Sequence, residues 1–380
     1  MSFESKSVKR PTRAEINLDN LEFNFNSVKE FTGGGLVMAV VKADAYGHGA
    51  VECARRLESA GVDWFAVALT EEGVELRESG IRKRILCLGG FWEGQERELL
   101  NHSITPVIFD LDSARRFDNA ASEGRMVAAV HVKIDTGMGR VGVPFRQARE
   151  FAASLRSLQN LRVEGLMTHF AAAENPSEND FTSLQIQRFH DSVFEFRNAG
   201  HNPQILDLAN SPGAVAHPES RSNLIRLGGV LYGLGQDVLP QNIENPELKP
   251  VMSLHSQIEF IKNVAPGETL GYGRTFTVER DSVIATLPIG YRDGYRRGLS
   301  NQGKVLVGGK VAPVVGRVSM DWTLIDVTDI SNVEVGDDVV LFGGDGDNEI
   351  TAADLAQICD TISYEITCGI SPRVPRKYVG

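Results

Sequence analysis

At 380 residues the chain is longer than one core usually holds, so a large domain and a smaller one are expected. Its 42% hydrophobic and 23% charged residues are those of an ordinary soluble protein with a substantial core, and a net charge of −11 argues against a nucleic-acid backbone as partner. Cys53, Cys87, Cys359 and Cys368 include no Cys-x-x-Cys pair and are too sparse for a disulfide framework; with a polar opening from Met1 to Thr12 and no apolar stretch of membrane-spanning length, a reducing, cytoplasmic setting is expected.

Between Arg13 and Gly235, short apolar runs alternate with helical patterns, the layout of repeated βα units. Leu21, Phe25 and Val28 mark one helical face behind the cap candidate Asp19, and Val74 with Leu76 lies in a less regular helical stretch. Candidate strands follow at 38–41, 64–68, 85–88, 105–109, 127–134, 163–168, 205–208 and 224–231. Eight strands with interposed helices imply an α/β fold, a (β/α)8 barrel over residues 12–243. The stretch 236–250 is rich in Asn, Pro and Glu and is expected to be a linker. Beyond it, β-branched runs at 282–289, 304–307, 311–318, 323–327 and 339–342 are broken by Gly and Asp turns, and Thr351 with Asp354 offers a cap to a short helix at 352–359. A smaller, mainly β domain over 244–380 is therefore expected, which residues 1–11 could join.

Barrel enzymes carry their chemistry at the C-terminal ends of the strands, so those positions come first. The run Val37-Met38-Ala39-Val40-Val41 ends at Lys42, followed by Ala43-Asp44-Ala45-Tyr46-Gly47-His48-Gly49. An amine at the mouth of an apolar strand is partly desolvated, which favours the neutral form that makes a Schiff base. The fifth strand leads into Asp135-Thr136-Gly137-Met138-Gly139-Arg140, the sixth ends at Thr168-His169, the seventh at Asn210-Ser211, and the eighth contains Arg226 before Gly228-Gly229. A glycine pair at the last strand lets backbone N–H groups approach a phosphate, to which Ser211 could add a hydroxyl. Singly, each residue is more simply a capped turn or a satisfied core group; their coincidence at one rim is the signal. The histidines show no metal-ligand spacing with cysteine or acidic residues, so no metal is expected.

The segment from Val41 to Gly49 resembles the pyridoxal-phosphate lysine motif of bacterial alanine racemases, and further matches follow in order from Lys42 to Arg376. The resemblance implies pyridoxal 5'-phosphate, its phosphate held by Tyr46, Ser211, the amides of Gly228 and Gly229, and Tyr364, with Gly229 replacing a usual aliphatic residue. Arg226 resembles the partner of the pyridine nitrogen; a permanently charged guanidinium does not readily donate its proton, which leaves the ring a weaker electron sink and limits side reactions. Racemisation needs a base on each face of the substrate Cα, and the resemblance implies Lys42 and Tyr272, the latter in Leu270-Gly271-Tyr272-Gly273-Arg274-Thr275-Phe276. His169 and Arg226 match the chain that supports such a tyrosine.

Arg140 resembles the arginine that contacts the cofactor's phenolic oxygen and the substrate carboxylate, which the backbone amide of Met320 also meets. Lys133 matches a lysine that is carbamylated in some members, a change that would set an anion beside Arg140. Arg297, Arg317, Ile362 and Glu174 match an access corridor, with Glu174 where aspartate is common and Ser319 where some relatives have cysteine. Because Tyr272 and Met320 lie in the smaller domain, the resemblance implies a homodimer with shared active sites. The implied activity is interconversion of L- and D-alanine through an external aldimine, supplying D-alanine for peptidoglycan, with Tyr364 crowding side chains much larger than methyl. The alternatives are a serine or broad-specificity racemase and a barrel-type decarboxylase of basic amino acids, which needs an acidic group for a distal amine and no second-face tyrosine. A non-enzymatic cofactor carrier is disfavoured by the roughly 130 residues beyond the barrel.

Overall fold

A strand buried on both faces needs apolar residues at every position, whereas one buried on a single face alternates, and this difference sorts the strands of the chain. The computed structural model describes residues 10–380, so most of the segment 1–11 lies outside the described residues. It divides into two units, one spanning Asp19–Lys249 and the other joining the residues before Asp19 to Pro250–Gly380.

The first unit is a closed barrel of eight parallel strands: Leu36–Val40, Trp64–Val67, Arg84–Cys87, Ile104–Ile108, Ala128–Asp135, Leu161–Met167, Ile205–Asp207 and Leu224–Leu227. Pairing of Leu224–Leu227 with Leu36–Val40, and of Ile104–Ile108 with Ala128–Asp135, closes the ring. Met38, Val40, Trp64, Ala66, Leu86, Val107, Met167, Ile205 and Leu224 pack together as one cluster. The intervening Val37, Ala39, Phe65 and Ile85 are also fully buried, as barrel strands require. Outside the ring, the helix Leu18–Phe31 buries Leu21, Phe25 and Val28, with Asp19 inside its first turn rather than before it.

Within the expected barrel, two departures from the sequence reading exceed a residue or two. The eighth strand stops at Leu227 rather than 231, because the chain turns at Gly228 into the 3-10 segment Gly229–Tyr232. This turn buries Tyr232, whose hydroxyl donates to the carbonyl of Val40 at 2.8 Å. The segment Arg13–Asn17, expected within the barrel, is a strand of the second unit. Only Ala14 and Ile16 of its five residues are buried, an alternation suited to a one-sided sheet, and it pairs antiparallel with Met252–Gln257 and parallel with Arg376–Val379.

The second unit is mainly β. Its largest sheet runs Lys310–Pro313, Lys304–Val307, Asp338–Asp345, Met252–Gln257, Arg13–Asn17, Arg376–Val379, with Asn348–Ile350 beside Asp338–Asp345. Phe260–Val264, Ser282–Leu287 and Thr323–Asp326 form a three-stranded sheet, and Thr269–Leu270 pairs with Phe276–Thr277 as a short hairpin. Leu270 is buried with Val264, Val278, Ile284 and Val315, so the hairpin base is anchored in a core. The helix Ala352–Ile358 begins at Thr351, whose hydroxyl accepts from the Asp354 amide at 3.1 Å while Asp354 accepts from the Thr351 amide at 2.7 Å. A second short helix, Ser363–Cys368, was not expected.

Inside the barrel His131 is fully buried against Trp64, ring centroids 5.4 Å apart, and against Gly165, where a Cβ would lie 2.6 Å from the imidazole. Burial, opposed by Glu164 at 3.9 Å and reinforced by Arg84 and Arg162, pushes its pKa down to about 4. The folded state therefore binds fewer protons than the unfolded state between about 4 and the ordinary 6.5, so stability falls as pH drops through that window. The expected loss is about 3 kcal/mol. Thermal unfolding across this range should show the slope, and a His131→Leu variant should flatten it; an unchanged slope would reject the assignment.

Candidate active site

Alternation along the barrel strands decides which polar side chains reach the lumen, since residues two apart share a face. Met38 and Val40 face inward, and two residues on comes Lys42; Met167 is followed by His169, Ile205 by Asp207, and Leu224 by Arg226. His131 likewise precedes Lys133. A charged layer thus caps the apolar lumen at the C-terminal mouths of five strands.

Arg226, 3% exposed, is paired with the fully buried Asp207, and its Nη2 donates to the Thr168 carbonyl at 3.1 Å and to His169 Nδ1 at 3.0 Å. A guanidinium only donates, so Nδ1 must accept and the neutral imidazole carries its proton on Nε2. Burial and the charges of Arg226, Lys133, Arg140 and Lys42 hold His169 well below the usual imidazole range. Lys133 is 6% exposed; burial, with Arg226 and Arg140 adding to it, pushes its amine down to about 8. Burial pushes the Asp207 carboxyl up, against the pull of Arg226 and Lys133. Asp207 Oδ2 has no hydrogen-bond partner among the described residues. Thr136 and Thr168 bridge two strand ends through their hydroxyls at 2.8 Å, and Gln185 ties Thr136 to the His169 carbonyl. Arg140 is exposed on the loop after Asp135, whose Oδ1 accepts from the amides of Gly137 and Gly139, each at 3.0 Å.

After Lys42 the backbone is left-handed for four consecutive residues, Ala43, Asp44, Ala45 and Tyr46, with φ between 52° and 54°. Each such non-glycine residue costs roughly 1–2 kcal/mol. Hydrogen bonds offset the strain: the Ala43 amide donates to Glu72 Oε1 at 2.7 Å, the Ala45 amide to the Val41 carbonyl at 2.9 Å, and Asp44 Oδ1 accepts from the Ala50 amide at 2.7 Å. Glu72 Oε2 meanwhile accepts from Ala68 and Leu69 at the next strand end. The turn brings Tyr46 to the last strand, where a Cβ on Gly228 would lie 2.7 Å from its hydroxyl, and the Gly228 amide donates to Ser211 Oγ at 2.9 Å. Gly229 opens the turn that follows. Two hydroxyls around a residue that tolerates no Cβ form a neutral donor cradle of the kind a phosphate fits.

Tyr272, Met320, Arg297, Arg317, Ile362 and Tyr364 belong to the second unit. Tyr272 is 71% exposed at the tip of the Thr269–Thr277 hairpin, next to Gly273, where a Cβ would lie 2.9 Å from Arg317 Nη1. Met320 is 51% exposed, and Gly290 packs so closely on its turn that a Cβ there would meet the Ser319 carbonyl oxygen at 2.3 Å. Arg297 is exposed in the 3-10 segment Arg297–Leu299, and Tyr364 is half-buried in the helix Ser363–Cys368. Glu174 is exposed in the barrel unit. The sequence reading missed Asp207, Glu72 and Gln185; the one available signal was the acid of Ile205-Leu206-Asp207-Leu208, at a strand's lumen-facing end.

A closed barrel with Lys42, Lys133, His169, Asp207 and Arg226 gathered at one rim, followed by a mainly β unit, has the layout of a barrel enzyme with its site at the strand ends. Comparison with known proteins narrows the class. The family model described as "Alanine racemase, N-terminal domain" matches residues 16–236, and "Alanine racemase, C-terminal domain" matches residues 251–378. The alanine racemase of Halothermothrix orenii is 45% identical over 377 residues, 98% of either chain. The solved alanine racemase of Clostridium difficile 630 superimposes with a TM-score of 0.91 at 38% identity, covering 98% of this chain and 97% of that one. A Bartonella henselae alanine racemase with covalently bound pyridoxal phosphate gives a TM-score of 0.86 at 26% identity, covering 97% and 99%. The chain belongs to the alanine racemase family and is an amino-acid isomerase.

Asp207 is the only carboxylate paired with Arg226 among the described residues. Asp207→Ala would strand a buried guanidinium, which costs on the order of 3–5 kcal/mol. A markedly lowered Tm is therefore expected, and a Tm within a degree or so of the unaltered protein would show that Arg226 finds its counter-charge elsewhere.

Proposed function

We propose that the protein interconverts L- and D-alanine with pyridoxal 5'-phosphate, by proton transfer from Lys42 on one face of the substrate Cα and Tyr272 on the other. The observation that carries this reading is the lumen-facing row Lys42, Lys133, His169, Asp207 and Arg226 beside the Tyr46–Ser211–Gly228 cradle. Pyridoxal phosphate, when bound, supplies an electron sink for the charge that develops at Cα. Tyr46, Ser211, the amides of Gly228 and Gly229, and Tyr364 would hold its phosphate, and Lys42 would anchor it covalently. Arg226, balanced by Asp207, would face the pyridine nitrogen without protonating it, since a guanidinium keeps its proton.

Lys42 takes or returns a proton at Cα on its own face. Tyr272 does the same on the other, and its phenolic oxygen needs a donor to hold charge near neutrality. His169 supplies one: with Nδ1 occupied by Arg226, its Nε2–H is left to donate. Arg140 and the Met320 amide orient the substrate carboxylate. Lys133, whose amine is shifted down to about 8, has an enlarged neutral fraction able to add carbon dioxide, and the resulting carbamate would fix Arg140. Arg297, Arg317, Ile362 and Glu174 would line the access corridor.

Tyr272 and Met320 would serve the site of the partner in a homodimer. Their exposure, shared by Trp322 at 46% and Ile362 at 52%, leaves large apolar surface on this unit for a partner to cover. Cys53, Cys87, Cys359 and Cys368 form no disulfide, which suits a reducing cytoplasm, and D-alanine would go to peptidoglycan. No helix among the described residues is long and apolar enough to cross a membrane.

Incubation of L-alanine in D₂O with the protein and pyridoxal phosphate should place deuterium at Cα while circular dichroism decays to zero. Tyr272→Phe should abolish the decay; full activity in this variant would reject the second base. Mixing inactive Lys42→Ala and Tyr272→Phe proteins under exchange of subunits should restore about a quarter of the native activity, because one site of each mixed dimer is intact. No recovery would place Lys42 and Tyr272 of one site on the same chain.

A further inference from the structure

Residues 271–275 are all exposed, so apolar burial cannot fix the tip that presents Tyr272. Polar contacts from one neighbouring turn do so instead. Asn301 Nδ2 donates to the Thr275 hydroxyl at 3.2 Å and to the Thr275 carbonyl at 3.4 Å, while its Oδ1 accepts from the Gly316 amide at 2.6 Å. One residue earlier, the Ser300 hydroxyl accepts from the Val318 amide at 3.0 Å and donates to the Arg297 carbonyl at 2.6 Å. The two segments so joined also touch directly, since a Cβ on Gly271 would lie 3.1 Å from the Arg317 amide nitrogen and one on Gly316 3.1 Å from the Leu270 carbonyl oxygen. Asn301 has a φ of 60°, a conformation that asparagine and glycine accept most readily.

We infer that Ser300 and Asn301 form a positioning clamp that sets Tyr272 and Met320 at a fixed spacing, Asn301 locking the Tyr272 tip and Ser300 the segment leading to Met320. The inference rests on the reading that Tyr272 delivers a proton and Met320 orients the carboxylate. Within the hairpin the tip is held by the Thr269–Thr277 pairing and by Arg274 Nε, which donates to the Thr269 hydroxyl at 2.9 Å, but these set no distance to Met320. A displacement of about 1 Å at a reacting group costs on the order of 100-fold in rate. Asn301 and Ser300 touch no reacting atom in this scheme; they act through the two segments they join.

Asn301→Gly tests the clamp because it removes the amide and keeps the backbone conformation. Its kcat should fall about 10- to 100-fold with unchanged absorbance of the bound cofactor. With α-deuterated alanine, the isotope effect should rise for the one enantiomer whose proton Tyr272 removes and stay constant for the other. Hydrogen exchange of peptides covering 270–276 and 315–320 should quicken while barrel peptides do not change. Asn301→Asp, which still accepts from Gly316, should recover part of the loss, and Ser300→Ala should raise KM without altering the isotope effect. Unchanged isotope effects and exchange in Asn301→Gly would overturn the clamp. Should that variant not fold, Thr275→Val cuts the same arm and is held to the same outcomes. Tyr272→Phe run alongside separates the failures: if it stays active, the second-base reading falls, and if it is inactive while Asn301→Gly behaves as the native protein, the clamp alone falls.

Discussion

A barrel lumen filled with methionine, valine and leucine is a poor solvent for charge, yet the chain sets Lys42, Lys133 and Arg226 at its mouth. Their mutual repulsion and lost hydration must be met locally, and the Asp207 carboxylate on Arg226 is the counter-charge the described residues provide. From this pair the rest of the layer follows. Arg226 is held rigidly enough to fix the tautomer of His169, and burial, with the neighbouring positive charges adding to it, depresses both His169 and Lys133. An anionic substrate or phosphate entering such a mouth meets attraction already arranged, with little reorganisation left to do.

Much of this was legible in the sequence because a strand's period of two is rigid. Once Met38 and Val40 face the lumen, Lys42 must lie on their side, and Leu224 does the same for Arg226. The apolar runs locate all eight strands, seven of them to within two residues at each end, for the same reason, since both faces of each strand are covered. What escaped had a non-local cause. Arg13–Asn17 finds its partners at Met252–Gln257 and Arg376–Val379, far along the chain, and no local pattern names a distant sheet. The run 224–231 looks like one strand until Gly228 breaks it, and Ser363–Cys368 is a single short helix whose Ile366 and Thr367 suggest strand as readily as helix.

The site divides in the same way. Lys42, His169 and Arg226 stand out by their position at strand ends, whereas Lys133 came from the resemblance, Asp207 was hidden in an apolar run and Glu72 sits on a helix whose local sequence points to no site. Tyr272, Met320, Arg297 and Tyr364 came from resemblance alone, because turns of the second unit carry no periodicity from which a direction could be read. The hairpin does explain why such a tyrosine can be both firmly rooted and exposed: Leu270 is locked in a core while the positive φ of Gly271 and Gly273 lets the chain turn sharply around Tyr272.

The left-handed run from Ala43 to Tyr46 contains no glycine, so nothing in its own composition favours that shape. It exists because Glu72, from the helix after the next strand, and Gly228, from the last strand of the ring, are there to receive it. The anion cradle is consequently a property of the completed ring. A nascent chain that has made the first strand and its lysine has not yet made the pocket, and the same four residues grafted onto another strand end would relax to ordinary backbone and lose it. Any anion held there would accordingly wait on barrel closure, because a partly built barrel presents its lysine without the hydroxyls of Tyr46 and Ser211 gathered at Gly228.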